Sequence, residues 1–412
     1  MDSDRILIRD ARVLDPEAGE LVEGQAVLVD GERIVEVGPT GTVRGGDGIV
    51  LDARGMTVMP GLIDAHVHVT AATANLAELE HWSPAYLTAR AAEILRGMLG
   101  RGFTTVRDVA GADFGLAAAV AEGLLPGPRL VFGGKALSQT GGHGDPRPPG
   151  RAVLDQHPSG SSQTVVADGV PEVRRAAREQ LRRGAHHVKV MLSGGVASPT
   201  DRVDSTQYSM EELRAIVEEA LAANRYVTGH AYTARAVNRG LEAGVSCIEH
   251  GNLMDESSIR LFERTGAFYV PTLATYSALA EEGIQHGLPA DQHRKVFDVL
   301  DAGLHALELA HRAGLPIAYG TDLLGGMHRR QLSEFTLRSQ VQPAADVIRS
   351  ATTVAARLVG LDGEVGVVAP GALADLLVVD GDPLQRLEVL TDPDRHLRLV
   401  MKAGGIHTSR LA

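Results

Sequence analysis

The amino-acid sequence predicts an α/β protein: a TIM (β/α)8 barrel over residues 58–364, with a small β-sandwich domain built by both chain ends, residues 1–57 and 365–412. Three observations predict it. Between about residues 58 and 360, short apolar runs alternate with helix-length segments, the rhythm of a parallel sheet with crossover helices. Eight such runs can be counted, the strand number of that barrel. Both ends of the chain show a purely β rhythm instead. A chain of 412 residues suits one large barrel with an appendage.

The elements follow in order. Ile6-Leu7-Ile8, Ala26-Val27-Leu28-Val29 and Arg33-Ile34-Val35-Glu36-Val37 read as strands, and Asp30-Gly31 between the last two is a hairpin signal. The eight barrel strands are expected at 58–69, 104–109, 129–134, 187–192, 226–232, 247–251, 268–273 and 317–323. Two helices between them carry their own start signals. Ser209 and Glu212 form a capping-box pattern before an amphipathic run to about Ala223. Pro171 suits the first turn of a helix ending near Arg183. Residues 138–168 are rich in Gly, Pro, Ser and Gln and read as a long loop after the third strand, a place where function concentrates. The β rhythm returns at 374–379 and 397–402.

Composition narrows the classes. Hydrophobic residues make up 44% and charged residues 22%, enough for a sizeable core. Aromatics are only 4%, and small or branched aliphatics replace them, as suits parallel strands under helices. A net charge of −12 argues against a nucleic-acid groove or an anionic membrane surface, since each needs a basic footprint. Arg174–Arg175 and Arg182–Arg183 read as a solvated helix face. One cysteine, Cys247, excludes an intrachain disulfide and reads as a small core residue. The acidic start Met1-Asp2-Ser3-Asp4-Arg5 has no apolar signal region, and no apolar run reaches membrane-span length. The expectation is a cytoplasmic protein acting on a small molecule.

Six residues carry the chemistry. In His66-Val67-His68 the side chains two apart on a strand face the same way and can reach one metal ion. Lys189 interrupts the apolar run Val188–Leu192, and burying an ammonium is costly. It is either a snorkelling lysine on an edge or a neutral amine that has taken up carbon dioxide to give an anionic carbamate. His230 and His250 end the fifth and sixth strands, and Asp322 ends the eighth. Taken singly, each histidine reads better as a hydrogen-bonded core residue, and Asp322 could simply cap the next helix. Together they fall at the C-terminal ends of strands one, four, five, six and eight, the rim where such barrels place active sites.

With Pro60-Gly61-Leu62-Ile63-Asp64-Ala65 leading into the His pair, and with Gln139-Thr140-Gly141-Gly142-His143-Gly144-Asp145 in the long loop, the chain resembles the amidohydrolase superfamily. Within it the resemblance is to the prolidase-like and imidazolonepropionase-like metal-dependent hydrolases, over nearly the whole length. It implies two divalent cations, zinc, bridged by carboxylated Lys189. His66, His68 and Asp322 would hold one and His230 and His250 the other, with Asp322 as general base. It further implies that His143 touches the scissile carbonyl or stabilises the tetrahedral intermediate, and that Tyr232 holds a substrate carboxylate. His328, Arg329 and Arg330 read either as anion contacts or as a helix face.

The implied reaction is hydrolysis of the amide bond of a dipeptide or N-acyl amino acid with a free carboxylate. Rival readings are a cyclic amide, lactone, carbamate or N-acylated toxin such as ochratoxin on the same metal centre, and a catalytically dead scaffold. The resemblance also implies a homo-oligomer.

Overall fold

A computed structural model describes residues 5–153 and 160–411; part of the predicted loop, 154–159, lies outside the described residues. Five strands open the chain: β1 (Arg5–Asp15), β2 (Glu20–Asp30), β3 (Arg33–Pro39), β4 (Ile49–Asp52) and β5 (Thr57–Pro60). Nine follow: β6 (Leu62–Val67), β7 (Phe103–Asp108), β8 (Arg129–Phe132), β9 (Ala136–Ser138), β10 (Thr164–Val166), β11 (His187–Met191), β12 (Tyr226–Thr233), β13 (Cys247–Leu253) and β14 (Phe268–Val270). Three close it: β15 (Leu376–Val379), β16 (Leu397–Lys402) and β17 (Gly405–Ser409).

Strands from both ends pair into one eight-stranded mixed sheet, ordered β17-β16-β15-β5-β1-β2-β3 with β4 beside β1. The Asp30-Gly31 signal is realised as the β2–β3 turn, where Gly31 takes φ +58°. β15 is apolar on both faces for a reason. Leu376 and Val378 join Ile8, Val29 and Val58 in the core of this sheet. Leu377 and Val379 point the other way, into a core with Leu62, Leu95 and Phe103. One four-residue strand therefore joins the two apolar cores.

The middle of the chain forms two parallel sheets, β6-β7-β8 and β10-β9-β11-β12-β13-β14. Backbone bonds link them at two seams. At one, His186 N–H donates to Phe132 O at 2.9 Å. At the other, residues 316–322 lie between β14 and β6: Ala318 N–H donates to Tyr269 O (2.9 Å), Ala65 N–H to Tyr319 O (2.7 Å), and Asp322 N–H to His66 O (2.8 Å). The two predicted helices form as Val170–Arg182 and Met210–Ala222, the latter with its Ser209–Glu212 capping box. Among the described residues no helix is long and apolar enough to cross a membrane.

Three expected strands need correction. The run 58–69 breaks at Gly61, where a Cβ would lie 2.1 Å from Thr104 Oγ1; residues before it join the outer sheet and residues after it the parallel one. The run 268–273 ends as a strand at Val270, and a helix begins at Leu273. The run 317–323 is not a regular strand. A single bridge, Tyr269 to Ile317, survives. Thr321 spends its N–H and hydroxyl on the Asp64 carboxylate, and Asp322 turns to φ +53°, which ends any extended ladder.

Beside that seam Glu334 is fully buried. Its Oε2 accepts the Ala274 N–H at 2.7 Å, while Oε1 has no partner among the described residues. Burial outweighs the nearby Arg338 charge and pushes its carboxyl from 4.5 up to about 8. The folded protein therefore holds this proton more tightly than the unfolded chain. Stability contributed by the neutral form is lost as pH rises from 4.5 toward 8, at up to about 1.4 kcal/mol per pH unit. Glu334→Gln keeps an acceptor for Ala274 and cannot titrate. Denaturant unfolding across pH 5–8 should show a flatter stability profile for the variant, and parallel profiles would contradict the assignment.

Candidate metal centre

Strand ends deliver the six residues to one cavity. His66 lies in β6 and His68 just past its end, Lys189 in β11, His230 in β12 and His250 in β13, with Asp322 on the seam. All six line the cavity, and so do His143 and Tyr232. The imidazoles crowd one another: ring centroids are 5.3 Å apart for His66 and His68, 5.0 Å for His66 and His250, and 4.6 Å for His230 and His250. His250 and Asp322 both take left-handed backbone angles, φ +73° and +53°. Such angles in non-glycine residues cost of order 1–3 kcal/mol each and persist where function requires them.

The outer ring nitrogens are already engaged. His66 Nδ1–H donates to Glu249 Oε2 at 2.7 Å and His68 Nδ1–H to Ala110 O at 2.8 Å. His250 Nδ1 shares a hydrogen bond with Thr272 Oγ1 at 2.7 Å, and His230 Nε2–H donates to Gly194 O at 3.2 Å. These bonds turn the opposite nitrogen of each ring inward. His66 Nε2 and His68 Nε2 then stand 3.4 and 3.2 Å from the same oxygen, Asp322 Oδ1. Three lone pairs face each other, and His66 Nε2 is buried with no hydrogen-bond partner among the described residues. A cation between them relieves that repulsion. His66, His68 and Asp322 have the donor set and the spacing, within 4.8 Å of one another, to hold one.

The electrostatics agree. Burial holds His230 and His250 well below the usual imidazole range, so both are neutral donors of a lone pair. Burial would raise the Asp322 carboxyl, yet the imidazoles packed against it, His66 first and then His68 and His250, hold it well below the usual carboxylate range. Lys189 is 2% exposed and makes no ion pair or hydrogen bond among the described residues. Burial pushes its ammonium pKa down.

Sequence reasoning missed what lies beneath. Glu249 is fully buried and accepts from His66, from Arg107 Nη2 at 2.6 Å and from the Thr228 hydroxyl. Arg107, equally buried, also donates to Ala65 O. The signal was available: a charged residue inside an apolar strand flagged Lys189, and Glu249 and Arg107 satisfy the same criterion. Asp64 fixes the Thr321–Asp322 corner through bonds to Thr321 and Gln331.

The mouth of the cavity carries His143 and Tyr232. The His143 ring stacks on His230 at 4.2 Å, and burial lowers its pKa to about 4. Tyr232 sits against His230 and His250, and its oxygen accepts the hydroxyl of Tyr276 at 3.2 Å. That leaves the Tyr232 proton available to another acceptor, and burial keeps the phenol protonated. Tyr276 was also missed; it follows strand β14 on the helix Leu273–Glu282. Leu76, Val196, Ala197, Leu279 and Leu324 line the remaining wall, and the cavity holds about 510 Å³ of atom-free space including its open mouth. His328, Arg329 and Arg330 do not line it. His328 is bonded to Ala71 O, and the two arginines pair with Glu282 and Glu281. Cys247 is buried core beside Glu249.

A model of the amidohydrolase family matches residues 57–406. The chain belongs to the amidohydrolase family. That membership makes it a hydrolase acting on amide bonds. Ochratoxinase of Aspergillus niger is 32% identical over 411 residues, 95% of this chain and 85% of the relative. The crystal structure of a prolidase complexed with N-methylphosphonate-L-proline is 46% identical, with a TM-score of 0.95 over 98% of this chain and 100% of that one. A Xaa-Pro dipeptidase with bound methionine in its active site is 29% identical, with a TM-score of 0.87 over 98% of this chain and 100% of that one.

In this amidohydrolase the Arg107–Glu249–His66 chain fixes which His66 nitrogen faces inward. Partners of this kind typically contribute 10- to 100-fold to metal affinity. Glu249→Gln should therefore weaken the binding of a divalent cation at His66, His68 and Asp322 by roughly that factor, measured by competition with a chelator. Unchanged affinity would show that the carboxylate only balances Arg107.

Proposed function

We propose that this amidohydrolase uses two divalent metal ions, zinc, to cleave the amide bond of a dipeptide or N-acyl amino acid that bears a free carboxylate. The convergence of six ligand-type side chains with Tyr232 on one partly apolar cavity carries this reading. The backbone bonds across both seams support a closed (β/α)8 barrel that begins at β6 and runs to about residue 364, with the single mixed sheet of the two chain ends, β1–β5 and β15–β17, beside it.

His66, His68 and Asp322 would hold one ion and His230 and His250 the other. Lys189 would bridge them as a carbamate: its neutral Nζ attacks carbon dioxide, an N–C bond forms and one proton leaves to solvent. Its burial without an ion-pair partner supports this. Bound there, the ions supply Lewis-acid polarisation of the scissile carbonyl and acidify the attacking water. Asp322 accepts the water's proton and returns it to the leaving nitrogen. The Tyr232 hydroxyl donates to the substrate carboxylate and sets its direction. His143 contacts the substrate from the loop side. The apolar wall suits an uncharged side chain on the substrate.

The 46% identity to a prolidase complexed with N-methylphosphonate-L-proline supports a substrate that ends in a free carboxylate. An N-acylated toxin such as ochratoxin is the second reading, favoured by the 32% identity to ochratoxinase along 95% of the chain. A library of dipeptides, N-acyl amino acids and ochratoxin, offered to zinc-loaded enzyme, separates the two.

Asp322→Asn should retain much of its zinc and lose turnover, because an amide oxygen can ligate but cannot accept the proton. General bases typically contribute about 10²–10⁴-fold, so a drop in kcat below tenfold rules out that role. The carboxylate contact has its own test. Amidating a good substrate should remove most of kcat/KM. Tyr232→Phe should cost roughly 10- to 150-fold on the free acid, the worth of a hydrogen bond to a charged group, and much less on the amide. Equal hydrolysis of acid and amide would move the assignment to a neutral amide, lactone or carbamate.

A further inference from the structure

A second cavity adjoins the metal cavity, and Leu76, His143 and Ala197 line both. It holds about 450 Å³ of atom-free space including its open mouth, and Pro199 and Gln292 also line it. Other polar side chains that face it are bonded within the protein. Asn75 Nδ2 donates to Glu78 at 3.0 Å and Gln163 Nε2 to Thr70 at 2.9 Å. The Ser162 hydroxyl donates to Thr164 O at 3.2 Å, and the Thr164 hydroxyl to Gly144 O. Gln292 differs. It is only 7% exposed, and neither end of its amide has a hydrogen-bond partner among the described residues. Neither amide atom is fully enclosed, so the polar end of this buried side chain opens onto the cavity. Buried amides without a partner are few in folded proteins, and each calls for a reason.

The site is built rather than incidental. Gln292 lies on the helix Ala290–Val296, and Lys295, on the same helix face, tethers the facing wall. Lys295 Nζ donates to Ser198 O at 2.9 Å, Asp201 O at 2.8 Å and Gly195 O at 3.3 Å, on either side of Ala197 and Pro199. Ser198 Oγ in turn lies 3.1 Å from His143 Nδ1 and bonds to the Asp201 carboxylate. One lysine thus fixes the helix that carries Gln292 against the segment that carries Ala197.

Three constraints define the occupant. The first is charge: among the described residues the one carboxylate lining either cavity is Asp322, which the proposed reaction commits to the metal and the water. A free α-ammonium would find no anionic partner there, whereas an uncharged group needs none. The second is hydrogen bonding. The Gln292 amide both donates and accepts, so it can meet the C=O or the N–H of a peptide unit. The third is direction. The Tyr232 contact ends the substrate at its carboxylate, so only the acyl side can be lengthened into a second cavity.

We propose that the second cavity is an acyl subsite, in which Gln292 selects acyl groups that carry a further, uncharged amide. The favoured substrate is then an N-acyl dipeptide or the C-terminal end of a longer peptide. This rests on the proposed amide hydrolysis with the substrate carboxylate at Tyr232.

The test offers zinc-loaded, full-length enzyme a set of acyl groups on one leaving amino acid, the one that the library above ranks first. The groups are acetyl, pentanoyl, glycyl and N-acetylglycyl. Pentanoyl and N-acetylglycyl match in length and differ by the amide. N-acetylglycyl should exceed pentanoyl in kcat/KM by about three- to tenfold, the range of one neutral hydrogen bond, and should exceed glycyl by at least as much. Gln292→Leu should abolish the first of these preferences. Gln292→Glu supplies the missing carboxylate and should turn the second toward glycyl. If wild type cleaves N-acetylglycyl and pentanoyl alike, or if both preferences survive both substitutions, the subsite assignment falls while cleavage of the acetyl compound leaves amide hydrolysis standing. If no compound of the set or the library is cleaved, the amide-hydrolysis reading fails and the subsite assignment fails with it.

Discussion

The site depends on one buried ion pair. Arg107 and Glu249 are both fully buried, 2.6 Å apart, beneath the cavity floor. Through them four neighbouring segments share a polar knot: β7 supplies Arg107, β13 supplies Glu249, β12 supplies the Thr228 hydroxyl, and β6 supplies Ala65 O and His66. Removing one member of such a pair strands a charge in a low-dielectric core, at a cost of about 3–5 kcal/mol. The pair fixes strand register, and it sets the orientation of His66. A carboxylate that only ligated would need no arginine, and an arginine that only packed would need no carboxylate.

The rim above the knot is built from backbone that an ordinary strand does not provide. His250 and Asp322 leave extended geometry at the point where their side chains turn into the cavity. Asp64, itself buried, holds the second of these corners by taking both the N–H and the hydroxyl of Thr321. The irregular seam at 316–322 and the placement of Asp322 therefore have one cause. A perfect eighth strand would carry its alternating side chains past the position from which Asp322 reaches His66 and His68.

This explains which parts of the molecule were legible from sequence. Period and punctuation reveal regular elements, so β11, β12, β13 and the capped helix Met210–Ala222 were located closely. His66, His68, Lys189, His230, His250 and Asp322 were legible because each interrupts or ends an apolar run, and the cavity gathers all six. Hidden features were those created by contact across distance in the chain. Gly61 breaks a continuous-looking strand because Thr104 lies against it, and Asp322 bends because of Asp64, 258 positions earlier. The support under His143 is hidden likewise, since Ser198 and Asp201 lie in an unremarkable polar stretch. Tyr276 became visible as a site residue only when its hydroxyl met that of Tyr232.

The two-faced strand β15 has a consequence for how the chain matures on the ribosome. Its partner β5 is complete once Pro60 emerges, but the register pairs Pro60 with Leu376, more than 300 positions later. At synthesis rates of 5–20 residues per second, that edge waits roughly 15–60 s. During this interval Met59, Leu62 and Phe103 lack the cover that Leu377 and Val379 later provide. The nascent protein carries an open strand edge and a greasy flank through most of its translation, which is the form of chain that chaperones shield and that premature termination leaves prone to aggregation.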